Sequence, residues 1–288
     1  MDVEFKRPDL HMHSVYSDGT DSPRELISRL RADGIDLFSL TDHDSFAGCE
    51  SVIKLLKKGD PAFICGIEFS CRDEYGKYHI LGYGFDINGD SITNAVEYTH
   101  NARIEKARLR IKELEKQYGF TFTEQEKAEL FAQNSPGKPH IARMMLAHGY
   151  VKDKSQAFEI MEGYNGPGRH LTPTEAIDAI LRSGGVPVLA HGPLGDGRQH
   201  LDGEEMLRRV ITLKESGLMG LECFYSGFDP AQTALMISLA ERHGMLVTAG
   251  SDYHGDNKTV LPGETGGADN ALLRGFTDLL SCAGKIYN

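Results

Sequence analysis

The residues best suited to chemistry in this sequence are histidines and carboxylates, and their densest group comes first. In Asp9-Leu10-His11-Met12-His13 a strand would place His11 and His13 on one face and turn Leu10 and Met12 into the core. Asp18 follows in a turn that contains Gly19, where its carboxylate can swing back toward the two imidazoles. Neutral imidazole together with carboxylate oxygen suits manganese, iron or zinc better than a thiolate-seeking ion. Taken alone, His-x-His is equally the pattern of a polar strand end with two solvated histidines.

Repetition separates the two readings. The apolar run Leu37-Phe38-Ser39-Leu40 leads into Thr41-Asp42-His43-Asp44, and the run from Ala62 to Ile67 leads into Glu68. Val186-Pro187-Val188-Leu189-Ala190 delivers His191, and the run from Met245 to Gly250 delivers Ser251-Asp252-Tyr253-His254. His79 lies early in another apolar run. In a barrel the C-terminal strand ends converge on one face, and catalytic groups come from several strands. Such a cluster suits phosphate-ester hydrolysis, which needs an activated water, charge neutralisation on the phosphoryl oxygens and help for the leaving oxygen.

The elements that would position these groups alternate along the chain. Strands are expected near 8–13, 36–41, 62–67, 78–85, 186–190, 218–223 and 245–250, separated by amphipathic helices, the pattern of an α/β sheet or barrel. Ser22-Pro23, Thr172-Pro173 and Asp229-Pro230 each offer an N-cap with proline at the first helical position. Gly34, Gly184 and Gly244 suit the C-terminal ends of those helices. Only about ten residues, Glu68 to Lys77, separate the third and fourth strands, whereas a parallel crossover needs a dozen or more, so the barrel is expected to be distorted there.

Between about 92 and 170 the alternation gives way to helices. Ile104, Ala107, Ile111, Leu114 and Tyr118 form one apolar stripe, Thr123 to Glu126 reads as a capping box, and shorter helices are expected at 139–148 and 154–163. The division expected is a barrel of residues 1–91 and 171–288 with a helical insert, 92–170, placed to cover the active site.

Composition narrows the classes. The 288 residues are 40% hydrophobic and 25% charged, enough for a sizeable core. A formal charge of −11 argues against an extensive nucleic-acid surface but not against a small anionic substrate. The five cysteines are scattered, without a C-x-x-C pair, so neither a disulfide framework nor a cysteine zinc site is expected. No apolar run approaches the roughly 20 residues that span a bilayer, and the polar N-terminus leads to an expectation of a cytoplasmic protein.

Taken together, His11-Met12-His13, the turn to Asp18-Gly19, Thr41-Asp42-His43, Glu68, Ala190-His191 and Ser251-Asp252-Tyr253-His254 resemble the motif set of the PHP (polymerase and histidinol phosphatase) family of metal-dependent phosphoesterases. The insert, with Gly137-Lys138-Pro139-His140-Ile141-Ala142-Arg143, is similar to the small subgroup that includes nucleoside 3',5'-bisphosphate phosphatases, a ribonuclease and a cyclic phosphodiesterase. The resemblance implies a distorted seven-stranded β/α barrel, which agrees with the strand count. It also implies ligands for two to three divalent ions, Mn, Fe or Zn: His11, His13, Glu68 and Asp252 around one, Glu68 bridging to a second with His79 and His191, and Asp18, His43 and His254 around the third. Glu68, His191 and Asp252 are the expected catalytic members. One departure is that Ala190-His191-Gly192-Pro193 stands where the family usually reads Ala-His-Pro, which leaves the role of the loop to His200 open.

The expected substrate is a small phosphorylated metabolite or nucleotide, of bisphosphate or cyclic-phosphate type, with histidinol phosphate as an alternative. Arg143 and Arg169 are the favoured phosphate contacts because guanidinium matches phosphate oxygens, and Lys138 and His140 are further candidates. Asp42 and Asp44 could orient ligands or cap loops. Glu222 and Tyr225 could face the site or belong to the rim. His148 and His243 read as helix-end residues, and His100 and His200 as surface residues. A metal-dependent amidohydrolase, or a metal-binding module without catalysis, are the readings from other classes.

Overall fold

The computed structural model describes residues 5–162, 169–195, 199–268 and 270–287. Its centre is a nearly closed sheet in the order of the chain, made of β1 (Pro8–Asp9), β2 (Leu37–Leu40), β3 (Ala62–Asp73), β4 (Gly76–Tyr83), β5 (Val186–Leu189), β6 (Gly220–Tyr225) and β7 (Leu246–Gly250), with β8 (Ile286–Tyr287) added beside β3. The Leu10 amide bonds the Ala249 carbonyl at 3.0 Å and the His13 amide bonds the Tyr253 carbonyl at 2.9 Å, so the N-terminal segment closes the circle against the end of β7. The expected α/β barrel of seven strands is the fold observed.

Its distortion has a definite form. β3 pairs antiparallel with β4 from Gly66–Tyr83 to Asp73–Gly76, and β4 pairs antiparallel with β5. The short gap expected after Glu68 is therefore the far half of a hairpin. Phe69 and Cys71 stay buried beyond Glu68, while the Asp73 side chain accepts the Tyr75 and Gly76 amides in the turn. A two-residue turn satisfies an antiparallel pair, so no helix is needed.

Alternation along the strands sorts two layers. Phe38, Phe63, Cys65, Ile67 and Ile80 pack outward under the helices, whereas Ile64, Leu81, Tyr83 and Val188 fill the interior with Phe276 and Leu280 of α10 (Asn270–Cys282). Following the same parity upward, Ile64 and Gly66 lead to Glu68, and Tyr83 and Leu81 lead back to His79, so the interior face turns from apolar to ligating at one end. Regular alternation ends early in the first segment. Leu10 joins the inner layer but Met12 the outer one, which corrects the expected strand at 8–13 to a two-residue strand and an extended tail.

The helices α1 (Pro23–Ala32), α7 (Pro173–Arg182) and α9 (Pro230–His243) begin at Ser22, Thr172 and Asp229 with capping boxes, as their spacing requires. Between β4 and β5 run α3 (Asp90–Tyr118), α4 (Glu124–Phe131), α5 (Lys138–Ala147) and α6 (Lys154–Glu162). Ile92 and Ala95 at the start of α3 belong to the barrel's outer layer, while Ala107, Ile111 and Leu114 join Ile141, Met145 and Met161 in a separate core. One long helix thus spans both. The structure adds α2 (Ala47–Leu55) and α8 (Gly203–Glu215), neither delimited by the spacing argument.

Candidate metal centre

Glu68 stands at the middle of the cluster, almost wholly buried. Its Oε1 lies 2.8 Å from His79 Nδ1, 3.2 Å from His191 Nε2 and 3.3 Å from His11 Nε2. Its Oε2 lies 3.0 Å from His43 Nδ1 and 3.2 Å from His13 Nε2. Asp252 Oδ1 is 3.2 Å from the same His13 Nε2, and Asp18 Oδ1 is 3.3 Å from His254 Nε2. The structure brings all nine expected ligands together in overlapping groups: His13, Asp18, His43 and His254; His11, His13 and Asp252; His11, Glu68 and His191; and His43, Glu68 and His79.

Whether these residues fit divalent ions can be judged from their polar atoms. His11 Nε2, His13 Nε2, Asp18 Oδ1, His43 Nδ1 and Glu68 Oε2 are buried and make no hydrogen bond, although they face one another. Orphaned buried polar atoms cost about 1–3 kcal/mol each, and cations at the centre would remove that cost. Burial would raise the carboxyl of Glu68, but His79, His43 and His11 outweigh it and hold the group well below the usual range. Asp18 is held down against burial by His254 and His43, and Asp252 by Lys258 and His254. Burial lowers His79 and His254 toward the neutral, ligating form. Burial also opposes protonation of His13, yet Asp252 and Glu68 lift it to about 9. The two ionised carboxylates that keep a proton on His13 would also hold a metal ion, which displaces that proton on binding. The donor set fits.

The surrounding structure aims the donors. His254 Nδ1 lies 2.8 Å from the Asp252 carbonyl, and His13 Nδ1 is 3.4 Å from Ser17 Oγ, which in turn donates to Asp42 Oδ1 at 2.6 Å. Such contacts on one ring nitrogen present the other to a metal. Asp42 also accepts the Ser14 amide and hydroxyl, so it both caps the turn and supports His13. Among the described residues, the non-glycine residues with positive φ are Asp44 at 51°, His191 at 27° and Asp252 at 56°, all at this site. Backbone strain of this kind persists where the surroundings over-determine it. Gly250 is required for a different reason, since a Cβ there would stand 2.2 Å from His11 Cβ.

Beside the cluster opens a cavity of about 640 Å³. Of the nine Lys and Arg residues that line it, six, Arg103, Lys106, Arg110, Lys138, Lys154 and Arg169, come from the helices between β4 and β5 or the segment that follows them. Of the four expected phosphate contacts, Lys138 and Arg169 line this cavity. Arg143 and His140 instead line a second recess of about 320 Å³ with Val15 and Glu126. His140 Nδ1 accepts the Gly137 amide at 3.2 Å, securing the start of α5, and burial with Arg143 nearby lowers it to about 4. The loop assigned an open role, Gly192 to His200, lies partly outside the described residues, at 196–198.

Sequence reasoning missed Arg103, Lys106 and Lys258. Arg103 bonds Asp44 Oδ2 at 2.5 Å and Ser70 Oγ at 2.9 Å, tying α3 to the His43 loop and to β3. The available signal was Thr99, Arg103, Lys106 and Arg110 at helical spacing, a polar face on the same helix as the apolar stripe. Lys258 pairs with Asp252 Oδ2, to which Tyr225 also donates at 2.8 Å. Burial, with Asp252 beside it, pushes the Tyr225 phenol up, so it remains a donor. His148, read as a helix-end residue, closes α5 and pairs with Glu126 at 2.7 Å.

Residues 9–165 match the PHP domain, more than half of the chain. The chain belongs to the PHP family. It is 30% identical to a 5'-3' exoribonuclease of Haemophilus influenzae, over 86% of this chain and 90% of that one. It is 28% identical to a 3',5'-nucleoside bisphosphate phosphatase of Chromobacterium violaceum, over 90% and 88% of the two chains. A solved structure from Bifidobacterium adolescentis, assigned as a metal-dependent phosphoesterase, shares 29% identity, covers 95% of each chain and superposes with a TM-score of 0.81. With this fold and these clusters the PHP protein is a metal-dependent phosphoesterase. Among the described residues no helix is long and apolar enough to cross a membrane.

Proposed function

We propose that His11, His13, Asp18, His43, Glu68, His79, His191, Asp252 and His254 hold two to three divalent ions, and that the enzyme hydrolyses a small nucleotide or ribose phosphate bearing a second anionic group. The observation that carries the substrate class is that one cavity is lined both by members of the ligand cluster and by the cationic side chains of the helices between β4 and β5. Ions bound there would lower the pKa of a water and neutralise phosphoryl oxygens. Tyr225 and Lys258 both hold Asp252 Oδ2, which leaves Oδ1 directed at His13. Arg169, Lys106 and Lys138 would bind the second anionic group and orient the substrate so that one ester faces the cluster. The carbonyl substrate of an amidohydrolase would leave those cationic side chains without a role. The helical insert, residues 92–170, contributes them and would act as the cover of the site.

Hydrolysis of a 3',5'-bisphosphate, a cyclic phosphate, a monoester lacking the second anion and histidinol phosphate tests this reading, followed as ring opening to a monoester for the cyclic compound and as released phosphate for the others. The substrates with the additional anionic group are expected to have the highest kcat/KM. Arg169→Ala should lower kcat/KM for them by about 10- to 1,000-fold while metal content stays unchanged, because a charge-assisted contact is lost and no ligand is. Equal kcat/KM for all four substrates, or wild-type kinetics in that variant, would remove the second subsite.

A pH dependence follows from Lys106. Burial, reinforced by Arg110 and Arg103, lowers its ammonium to about 8. The charge is present below that pH and is lost as pH rises through it, so kcat/KM for a doubly anionic substrate should fall on the alkaline side with a break near 8. In Lys106→Met the break should vanish and the acidic-side value should drop. A break that survives the substitution would assign it to another group.

A further inference from the structure

Glu222 is wholly buried in β6 and spends both carboxylate oxygens on the metal-centre histidines. Oε1 lies 3.0 Å from His11 Nδ1, and Oε2 accepts the His191 amide at 2.8 Å. A bulge between Glu222 and Phe224 makes this possible, since the extra residue lets Glu222 and Tyr225 both reach the site while Cys223 and Phe224 pack outward. Gly250 closes the other side, where a Cβ would stand 2.5 Å from Oε1. His11 shares one ligand group with His13 and Asp252 and another with Glu68 and His191. His191 has a positive φ of 27°, so its backbone depends on bonds such as the one to Glu222.

We infer that Glu222 is a positioning residue that registers the two histidines against each other, keeping Nδ1–H on His11 so that Nε2 faces the metal and holding His191 through its amide. The inference rests on the proposed reading of His11 and His191 as ligands. It predicts an unusual sensitivity to an isosteric change. In Glu222→Gln the side-chain oxygen can remain on the His191 amide only if the NH2 group faces His11 Nδ1. That arrangement favours the Nε2–H tautomer, which cannot ligate. The opposite rotamer sets the NH2 group against the His191 N–H and loses that bond.

The test titrates wild type and Glu222→Gln with zinc in buffers of defined free metal, reading zinc per subunit by elemental analysis. Long-range 15N–1H histidine spectra of the zinc-loaded proteins then report the tautomer, with His11 assigned by its loss in His11→Asn. Affinity for at least one ion should weaken by about 10- to 100-fold in the variant, with a changed His11 pattern and an unchanged unfolding temperature of the chelated protein. Should that variant fail to fold, Glu222→Asp serves the same measurement. Its shorter carboxylate keeps the charge but cannot span both partners, so weaker zinc binding is again expected. A wild-type isotherm together with an Nδ1–H His11 in the variant overturns the inference about Glu222. Absence of zinc binding by wild type overturns the ligand reading itself, and the inference with it.

Discussion

Glu68→Gln is expected to lower kcat by a thousandfold or more, about 4 kcal/mol of transition-state stabilisation, with the fold retained. Glu68 offers Oε1 to His11, His79 and His191 and Oε2 to His13 and His43, so one carboxylate spans groups contributed by several strands. An amide keeps the size but carries no charge, and its NH2 group cannot accept or ligate on the side it occupies. The expected signature combines a collapse of kcat with loss of at least one ion per subunit, measured by steady-state kinetics and elemental analysis on the same preparation. Near-normal kcat at full metal occupancy would show that Glu68 does not join the groups, and the ligand assignment would need redrawing.

Chelation is expected to abolish phosphatase activity and to lower the unfolding temperature. Five donor atoms of the cluster are buried without hydrogen bonds, namely His11 Nε2, His13 Nε2, Asp18 Oδ1, His43 Nδ1 and Glu68 Oε2, so an ion bound among them favours the folded state alone. At free metal one hundred times Kd one site contributes about 2.7 kcal/mol, and for a chain of this size that corresponds to roughly 4–5 °C. Calorimetry with and without chelator checks the shift, and re-addition of manganese or zinc should restore both properties. Activity that persists in protein shown to be metal-free would contradict the proposed centre. So would an unfolding temperature unaffected by either treatment.

The ligating residue types were legible because their placement follows local rules. Imidazoles and carboxylates after apolar runs mark where the parallel strands of a barrel converge, so His43, His191 and Asp252 could be assigned to one place from the sequence, and Glu68, read as the end of its strand, reaches the same place although β3 runs on to Asp73. The helices at Ser22, Thr172 and Asp229 were legible for a similar reason, since a capping box is a contact between residues three apart.

Long-range partners were not legible. Arg103 meets Asp44 across a sequence separation of 59, and Glu222 meets His11 across 211. Arg143 was read as a phosphate contact and Arg103 was not named, because the face of α3 that looks into the cavity depends on how α3 crosses from the barrel's outer layer into the insert's core. The hairpin of β3 and β4 was hidden because an apolar run does not announce the direction of its neighbour. The residue chemistry, the strand count and the helix starts were therefore determined by the sequence by itself. Strand direction, the bulge at Glu222, and the division of cations between the two cavities were decided only by tertiary packing, because each depends on contacts between segments whose separation along the chain carries no periodic signal.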